Sequence, residues 1–265
     1  MTRPMRSVLF GLLLVCATLA YGTQAPKYIF LFIGDGMGFN HVEASQIYAE
    51  KVGTDTGERS LLFPTFPVMT QVCTRSASHL ITCSSAAATA LATGEKTTNY
   101  VIGMDAKKQH GLKSLARQLK GKGYKIGIIT SASIDHATPG GFYASQPDRS
   151  MYYEIGVDAA NSGFDFFGGA GLLQPRSKRN ASAPCLYDLF HQKGYTMYRG
   201  MDAYNRSHVK DKVLLFPTDT VSGSLKYALD RSEKDLGLPD LTKACLDNFA
   251  ETAKKGFFMM VEGGK

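Results

Sequence analysis

The sequence predicts an α/β protein, a three-layer sandwich in which helices cover both faces of a mostly parallel central sheet. Three observations lead to this prediction. Continuous apolar, β-rich runs at 27–33, 125–130 and 257–261 are typical of strands buried on both faces. Helical patterns separate these runs, and such an alternation favours parallel strand pairing. Polar residues follow the strand ends, where parallel sheets gather their ligand sites.

The composition is that of a globular protein. With 265 residues, of which 44% are hydrophobic and 20% charged, the chain is long enough for one large domain. The formal charge is +7, but no run of Lys or Arg is longer than two residues. We therefore expect no nucleic-acid partner.

Residues 1–22 have the pattern of a secretory signal peptide, with a basic start, an apolar core at 8–19 and small residues near a possible cleavage point. This predicts an exported protein, periplasmic, extracellular or at the cell surface, whose residues 23–265 form part of one α/β domain. A membrane anchor is the alternative, although the apolar run is short for a bilayer span. Four cysteines follow the leader and could form up to two disulfides, with the pairing open: Cys73, Cys83, Cys185 and Cys245.

The first predicted strand, at 27–33, ends in Gly-Asp-Gly-Met-Gly, which places Asp35 just past its carboxyl end. A helix is predicted at 41–50 and a short strand at 68–73. Next comes an Ala-rich helix at 85–93, for which Gly94 is a suitable left-handed cap. Ser84 stands at the start of this helix, where free N–H groups and the helix dipole favour a nucleophilic oxygen and a phosphate. The alternative for Ser84 is a plain helix N-cap.

The remaining elements follow in the same alternation. We predict a helix at 112–120, a strand at 125–130, a β-rich stretch at 164–167, a helix at 186–192, a strand at 213–216, a helix at 241–254 and a strand at 257–261. The strand at 125–130 leads into a polar loop that contains His136 and Thr138, and the last strand ends at Glu262. The polar stretch 171–212 is interpreted as a surface excursion.

These residues together match the needs of phosphoryl transfer, which uses a nucleophile, cationic groups on the phosphoryl oxygens and commonly a pair of metals. Asp35 and Glu262 are carboxylates that follow different strands, and Thr138 adds a hydroxyl from a third loop. Arg149 could hold a phosphate in a two-pronged contact.

The same residues lie in segments that resemble the alkaline phosphatase family in sequence and in order. The segments are Phe-Ile-Gly-Asp-Gly-Met-Gly at 32–38, Ser-Ser-Ala-Ala-Ala-Thr-Ala at 84–90 with Thr-Gly at 93–94, His-Ala-Thr-Pro at 136–139 with Arg149, and Gly-Phe-Phe through Val-Glu-Gly at 256–263. They extend over most of the chain after the leader.

The resemblance implies a role for each matched residue. Ser84 would become transiently phosphorylated, and Arg149 would bind the phosphate. Asp35 would bridge a zinc and a magnesium, and Thr138 and Glu262 would complete the protein ligands of the magnesium. His136 would lie just outside the ligands of the magnesium and influence how that ion is bound. The alternative is that His136 is an ordinary solvated loop histidine. Zinc and magnesium cofactors, phosphate monoester substrates and a homodimer are implied as well.

Two departures from the family pattern qualify these expectations. Cys83 stands where many members have an aspartate before the nucleophile. The family's first zinc site needs an Asp and a His four residues apart shortly after the Glu262 strand, and no His of this sequence has an Asp four residues before it. The remaining zinc ligands of the family, an Asp-His pair and a late His, are expected further on than Lys265. We therefore expect the chain to be the N-terminal part of an alkaline phosphatase, inactive by itself, with the strand at 257–261 as an exposed, aggregation-prone edge.

Three other functions were weighed. A sulfatase has a Cys-x-Pro-x-Arg setting, but Cys83 is followed at those positions by Ser85 and Ala87. A phosphodiesterase of the same superfamily stays open. An exported, non-catalytic protein that binds phosphate or metal is also an open alternative. Phosphate binding without turnover would favour this alternative.

Overall fold

The computed structural model describes residues 25–52, 60–207, 211–219 and 223–264. The predicted signal peptide therefore lies outside the described residues. The strands are β1 (Tyr28–Gly34), β2 (Lys125–Thr130), β3 (Phe166–Gly168), β4 (Thr196–Arg199), β5 (Val213–Phe216) and β6 (Phe257–Gly263). The helices are α1 (Phe39–Val52), α2 (Ser84–Thr93), α3 (Leu115–Gly121), α4 (Ala137–Gly140), α5 (Tyr152–Asn161), α6 (Leu186–Gln192), α7 (Met201–Asn205) and α8 (Leu238–Thr252), with 3-10 turns at Phe63–Thr65 and Ala228–Asp230.

All six strands pair in parallel in the order β1-β6-β2-β3-β5-β4, which confirms the predicted parallel α/β sheet. β6 lies between β1 and β2, so it pairs on both sides. The prediction that 257–261 is an exposed edge is therefore wrong. Adjacent strands of a parallel sheet need not be adjacent in the chain, and sequence order gave no sign that the last strand would insert beside the first.

Apolar side chains form one core on each face of this sheet, which confirms the three layers. Along β6, Phe258 and Met260 join a cluster with α3, α5 and α6, whereas Phe257, Met259 and Val261 join a cluster with α8. The alternation follows from the two-residue period of a strand. Both faces of the central strands are thus covered by apolar side chains. Polar groups therefore lie at the strand ends.

β1 differs from its prediction as a strand buried on both faces. It is the first strand of the sheet, and its residues alternate between partly buried and exposed. Tyr28, Phe30 and Phe32 are exposed on one face. Its run of apolar residues was correctly identified as a strand, but hydrophobicity alone does not report whether a layer covers each face.

Two further expectations are wrong. Residues 68–73 form no strand, and Val68, Met69 and Val72 are largely exposed. In the part of the chain that the structure describes, no strand pairs with them. The stretch 171–212 is not only a surface excursion, since β4 within it pairs with β5. The helix α5 was not predicted, although its face with Tyr153 and Ile155 is buried.

The four cysteines Cys73, Cys83, Cys185 and Cys245 are free thiols in this structure. None of the helices that the described residues form is long and apolar enough to cross a membrane.

Candidate active site

Two carboxylates meet at the carboxyl edge of the sheet. Asp35 follows β1 directly, and its backbone N–H donates to the carbonyl oxygen of Gly263 at 3.0 Å. The register of β1 and β6 places Ile33 opposite Glu262. The parallel pairing that the alternation predicted therefore brings Asp35 and Glu262, which are distant in sequence, to neighbouring strand ends.

Ser84 is the first residue of α2, and its hydroxyl donates to Asp35 Oδ2 at 2.9 Å. The N-cap of the helix is Cys83, not Ser84, and Gly94 ends it in the predicted left-handed conformation, with φ 81°. The reading of Ser84 as only an N-cap does not hold, because its side chain bonds to a carboxylate across the site. Ser84 Oγ is thereby fixed at the helix start, next to the positive end of the helix dipole.

Glu262 is fully buried in β6, and Thr130 of the adjacent β2 donates to its Oε2 at 2.5 Å. Burial raises the pKa of Glu262, an effect that the Thr130 and Thr138 hydroxyls oppose. Asp35 repels the charge and Arg149 attracts it, so all of these groups lie within electrostatic reach of this carboxyl.

Two oxygens at this point lack hydrogen-bond partners. Glu262 Oε1 and Thr138 Oγ1 are both buried and unpaired, the Thr138 hydroxyl standing near the carboxyl without a well-formed hydrogen bond to it. Buried polar atoms without partners are rare and mark sites where an ion or water is absent. With Asp35 and Ser84 they form a set of hard oxygen donors, which fits Mg²⁺ better than zinc.

Arg149 approaches the site from the segment after α4. Its Nη2 lies 3.4 Å from His136 Nε2, and its backbone N–H donates to the carbonyl of Tyr100 at 2.7 Å. His136 is the N-cap residue of α4, and the helix that it begins carries Thr138 in its first turn. The loop after β2 thus brings His136, Thr138 and Arg149 together at one end of the sheet.

Sequence reasoning passed over Asp135, whose carboxylate is fully buried. Its Oδ1 accepts from the Leu173 N–H at 3.0 Å and its Oδ2 from the Gln174 N–H at 3.1 Å. Burial raises its pKa, against these hydrogen bonds. Asp135 ties the loop with His136 to the segment after β3, and its position just before His136 was the available signal.

Cys83 is the residue before Ser84, where the resemblance led us to expect an aspartate. Its Sγ accepts from the Tyr100 N–H at 3.1 Å and lies 3.0 Å from Ser85 Oγ, while its own N–H donates to Asn99 Oδ1. Burial raises the pKa of Cys83, but these and neighbouring hydrogen bonds outweigh burial and lower it overall. Cys83 is therefore hydrogen-bonded to the segment of Tyr100, which also contacts Arg149. Its role is not limited to filling space in the core.

Within the ranges that the structure describes, no group of three or more His, Cys, Asp and Glu residues could hold a metal ion.

The family can be determined from this sequence and fold together. Residues 26–165, more than half of the chain, match the family model for alkaline phosphatase. The chain belongs to the alkaline phosphatase family. Alkaline phosphatase 4 of Bacillus subtilis strain 168 is 31% identical over an alignment of 253 residues that covers 90% of this chain and 51% of that protein.

Solved structures of alkaline phosphatases have the same fold. The enzyme from Thermus thermophilus superposes with a TM-score of 0.76 at 26% identity, over 91% of this chain and 50% of that chain. A variant of the enzyme from the Antarctic bacterium TAB5, which has Mg bound, gives 0.68 at 25% identity over 89% of this chain and 64% of that one. The chain spans about half the length of the curated alkaline phosphatases that it matches.

Proposed function

We propose that this chain carries the phosphoryl-transfer site of a phosphate monoester hydrolase in which Ser84 is the nucleophile. The observation that supports this most directly is the hydrogen bond from Ser84 Oγ to Asp35 Oδ2. A carboxylate acceptor orients the hydroxyl and can take its proton as the oxygen attacks, which is the usual way to activate a weak nucleophile. The start of α2 supplies backbone N–H groups for the phosphoryl oxygens.

The proposed reaction has two steps. In the first, Ser84 Oγ bonds to phosphorus, its proton passes to Asp35, and the bond from phosphorus to the ester oxygen breaks. The ester oxygen takes up a proton from solvent and leaves as the alcohol. In the second, water attacks the phosphoserine and releases a proton to solvent, the bond from phosphorus to Ser84 Oγ breaks, and Asp35 returns its proton to Ser84 as phosphate leaves. Arg149 binds the phosphoryl oxygens throughout with charge-assisted hydrogen bonds, and His136 beside it limits where the guanidinium can move.

Magnesium is the cation that this site is proposed to bind, through Asp35, Ser84, Thr138 and Glu262. The unpaired oxygens of Thr138 and Glu262 support this, as does the bound Mg in the TAB5 variant. When bound, the ion would neutralise the two carboxylates and lower the pKa of hydroxyls beside it.

The family resemblance also implies zinc, whose sites draw on three or four protein ligands, commonly imidazole or thiolate. Asp35 and Ser84 would contribute oxygens to such a site. We propose that the polypeptide of residues 23–265, expressed by itself, shows no zinc-dependent turnover. The signal peptide at 1–22, export, a single α/β domain and a homodimer likewise stay proposals.

Phosphate binding and covalent trapping test the proposed site directly. Calorimetry with inorganic phosphate and Mg²⁺ is expected to show affinity reduced about tenfold to a hundredfold by Arg149→Ala, because hydrogen bonds to charged groups contribute about 1.5–3 kcal/mol each. Arg179→Ala is the control, since Arg179 is exposed and the change alters net charge equally.

Labelled phosphate ester, incubated with Mg²⁺ without zinc and quenched in acid, is expected to leave phosphate on Ser84, because a single phosphorylation does not require turnover, and Ser84→Ala should abolish the label. Label on Ser85 would identify the wrong serine. Phosphate binding without any label would favour the non-catalytic binding protein, and binding unaffected by Arg149→Ala would contradict the site itself.

A further inference from the structure

Tyr100 has a backbone conformation that its side chain disfavours. Its φ is 71°, in the left-handed region. The Val101 N–H donates to the Thr98 carbonyl at 3.2 Å, so Tyr100 is the third residue of a β-turn. A positive φ at that position is typical of Gly or Asn, and for a bulky residue it is a genuine outlier.

The surroundings enforce this conformation from both sides. The N–H of Tyr100 donates to Cys83 Sγ at 3.1 Å, and its carbonyl accepts from the Arg149 N–H at 2.7 Å. The next two residues, Val101 and Ile102, are fully buried. The backbone of Tyr100 therefore cannot relax without disturbing either the residue before the nucleophile or the backbone of Arg149.

Packing does not account for the tyrosine ring. Tyr100 is 57% exposed, so the fold gains little from burying it. Glycine would adopt the same backbone without strain. Strained residues that the surroundings hold in place cluster at functional sites, where the side chain has a use that offsets the strain.

The position of Tyr100 indicates that use. Its backbone bridges Cys83, the neighbour of Ser84, and Arg149, which is proposed to bind the phosphoryl group. In an in-line displacement the leaving oxygen points away from the attacking Ser84 oxygen. The backbone of Tyr100 lies between Cys83 and Arg149, and its ring is exposed. The ring can therefore contact the group attached to the leaving oxygen.

We propose that Tyr100 is a specificity-determining residue that contacts the leaving group and favours phosphate esters of planar aromatic alcohols. This proposal rests on the proposed function of the Ser84 and Arg149 site. Offset or edge-to-face contact of two aromatic rings provides the selectivity, and the tyrosine hydroxyl is not required for it.

Two phosphonates that cannot be hydrolysed test the proposal: methylphosphonate and phenylphosphonate, measured by calorimetry with Mg²⁺ at a pH where both are dianions. The protein is expected to bind phenylphosphonate about threefold to tenfold more tightly than methylphosphonate, as one aromatic contact allows. Tyr100→Phe should retain this ratio, whereas Tyr100→Gly and Tyr100→Ala should reduce it to about one. Tyr227→Ala, at an exposed tyrosine elsewhere, is the control.

The affinity for methylphosphonate separates the two proposals. If Arg149→Ala weakens methylphosphonate binding but the phenyl preference survives in Tyr100→Gly, the proposed site holds and the role of Tyr100 is overturned. If Arg149→Ala has no effect on either ligand, or neither ligand binds, the proposed function fails and the role of Tyr100 fails with it. Tyr100→Gly is compatible with the observed backbone, so this variant is expected to fold.

Discussion

Glu262 is the residue at which stability and metal binding oppose each other. Its carboxylate is buried with one oxygen unpaired, and burial raises its pKa. A raised carboxyl pKa means that the folded state holds the proton more tightly than the unfolded chain does. Without metal, the free energy of unfolding should therefore fall as the pH rises from the ordinary value of 4.5 through the raised pKa.

Replacing this carboxylate by its amide should separate the two effects. We expect Glu262→Gln to raise the free energy of unfolding of the metal-free protein by about 1 kcal/mol at neutral pH, because a buried charge without a full set of partners is removed. The same variant should lose the stabilisation that Mg²⁺ gives the unsubstituted protein, about 2.7 kcal/mol at a concentration of about 100 Kd. Urea unfolding with and without Mg²⁺ measures both quantities.

Glu95→Gln is the matched control, since Glu95 is exposed beyond the end of α2. It should leave both quantities unchanged. A Glu262→Gln protein that is still stabilised by Mg²⁺ to the full extent would contradict the oxygen-ligand site.

The element that sets the position of Ser84 is α2, and a glycine allows its close approach. Gly141 directly follows α4, and a Cβ placed on it would lie 2.8 Å from the Cβ of Ala88 and 3.0 Å from its carbonyl carbon. Contacts this short require backbone shifts. The Ala-rich sequence of α2 thus has a second consequence besides helix propensity, because small side chains let the helix approach the segment with Thr138.

A methyl group at this contact should test how tightly the two elements are coupled. We expect Gly141→Ala to lower the free energy of unfolding by about 1–3 kcal/mol, the usual cost of overpacking, and to weaken phosphate binding as Ser84 and Thr138 move apart. Chemical unfolding and calorimetry are the measurements.

Gly121→Ala provides the comparison, because it ends α3 with open space around the added methyl. That variant should be neutral or more stable by up to about 1 kcal/mol. Equal stability of the two variants would show that α2 and α4 are less closely packed than the structure indicates.

At the scale of the whole molecule, β1 has a row of exposed aromatic side chains along one face. Phe30 and Phe32 stack at 6.2 Å between ring centroids, and with Leu62 and Phe63 they line a cavity of about 580 Å³. Edge strands with exposed apolar faces are sites of aggregation. The sequence led us to predict aggregation through the strand at 257–261. The structure leads us to expect aggregation through β1 instead.

A single charge on this face should reveal whether it drives association. We expect Phe32→Lys to increase the monomeric fraction of the polypeptide of residues 23–265, as measured by light scattering after size-exclusion chromatography. A lysine on an exposed strand face opposes edge-to-edge pairing. Leu229→Lys adds the same charge at a residue that is 98% exposed in a 3-10 turn, and it should have little effect. Equal improvement by both would mean that net charge alone matters.

Local pattern was sufficient for the strands and helices with a strong periodic signal. The strand at 125–130 and the helix at 186–192 have the predicted bounds, and the helices around Ser84 and Leu241 were also expected. α5 and β4 were not predicted, and both are buried by partners that are distant in the chain. The same limit explains the failed strand at 68–73, which has strand-forming residues and no partner.

The sequence by itself determined the fold class and the family, and it supplied the candidate site residues, because strand periodicity, helix propensity and motif order are local properties of the chain. Only the tertiary structure decided that β6 lies inside the sheet and β1 has an open face, since pairing depends on distant segments. It also decided that Ser84 bonds to Asp35, and that Tyr100 is held in a strained turn by Cys83 and Arg149. These contacts join residues that are far apart in the sequence, and the sequence separation of two residues does not report their distance in space.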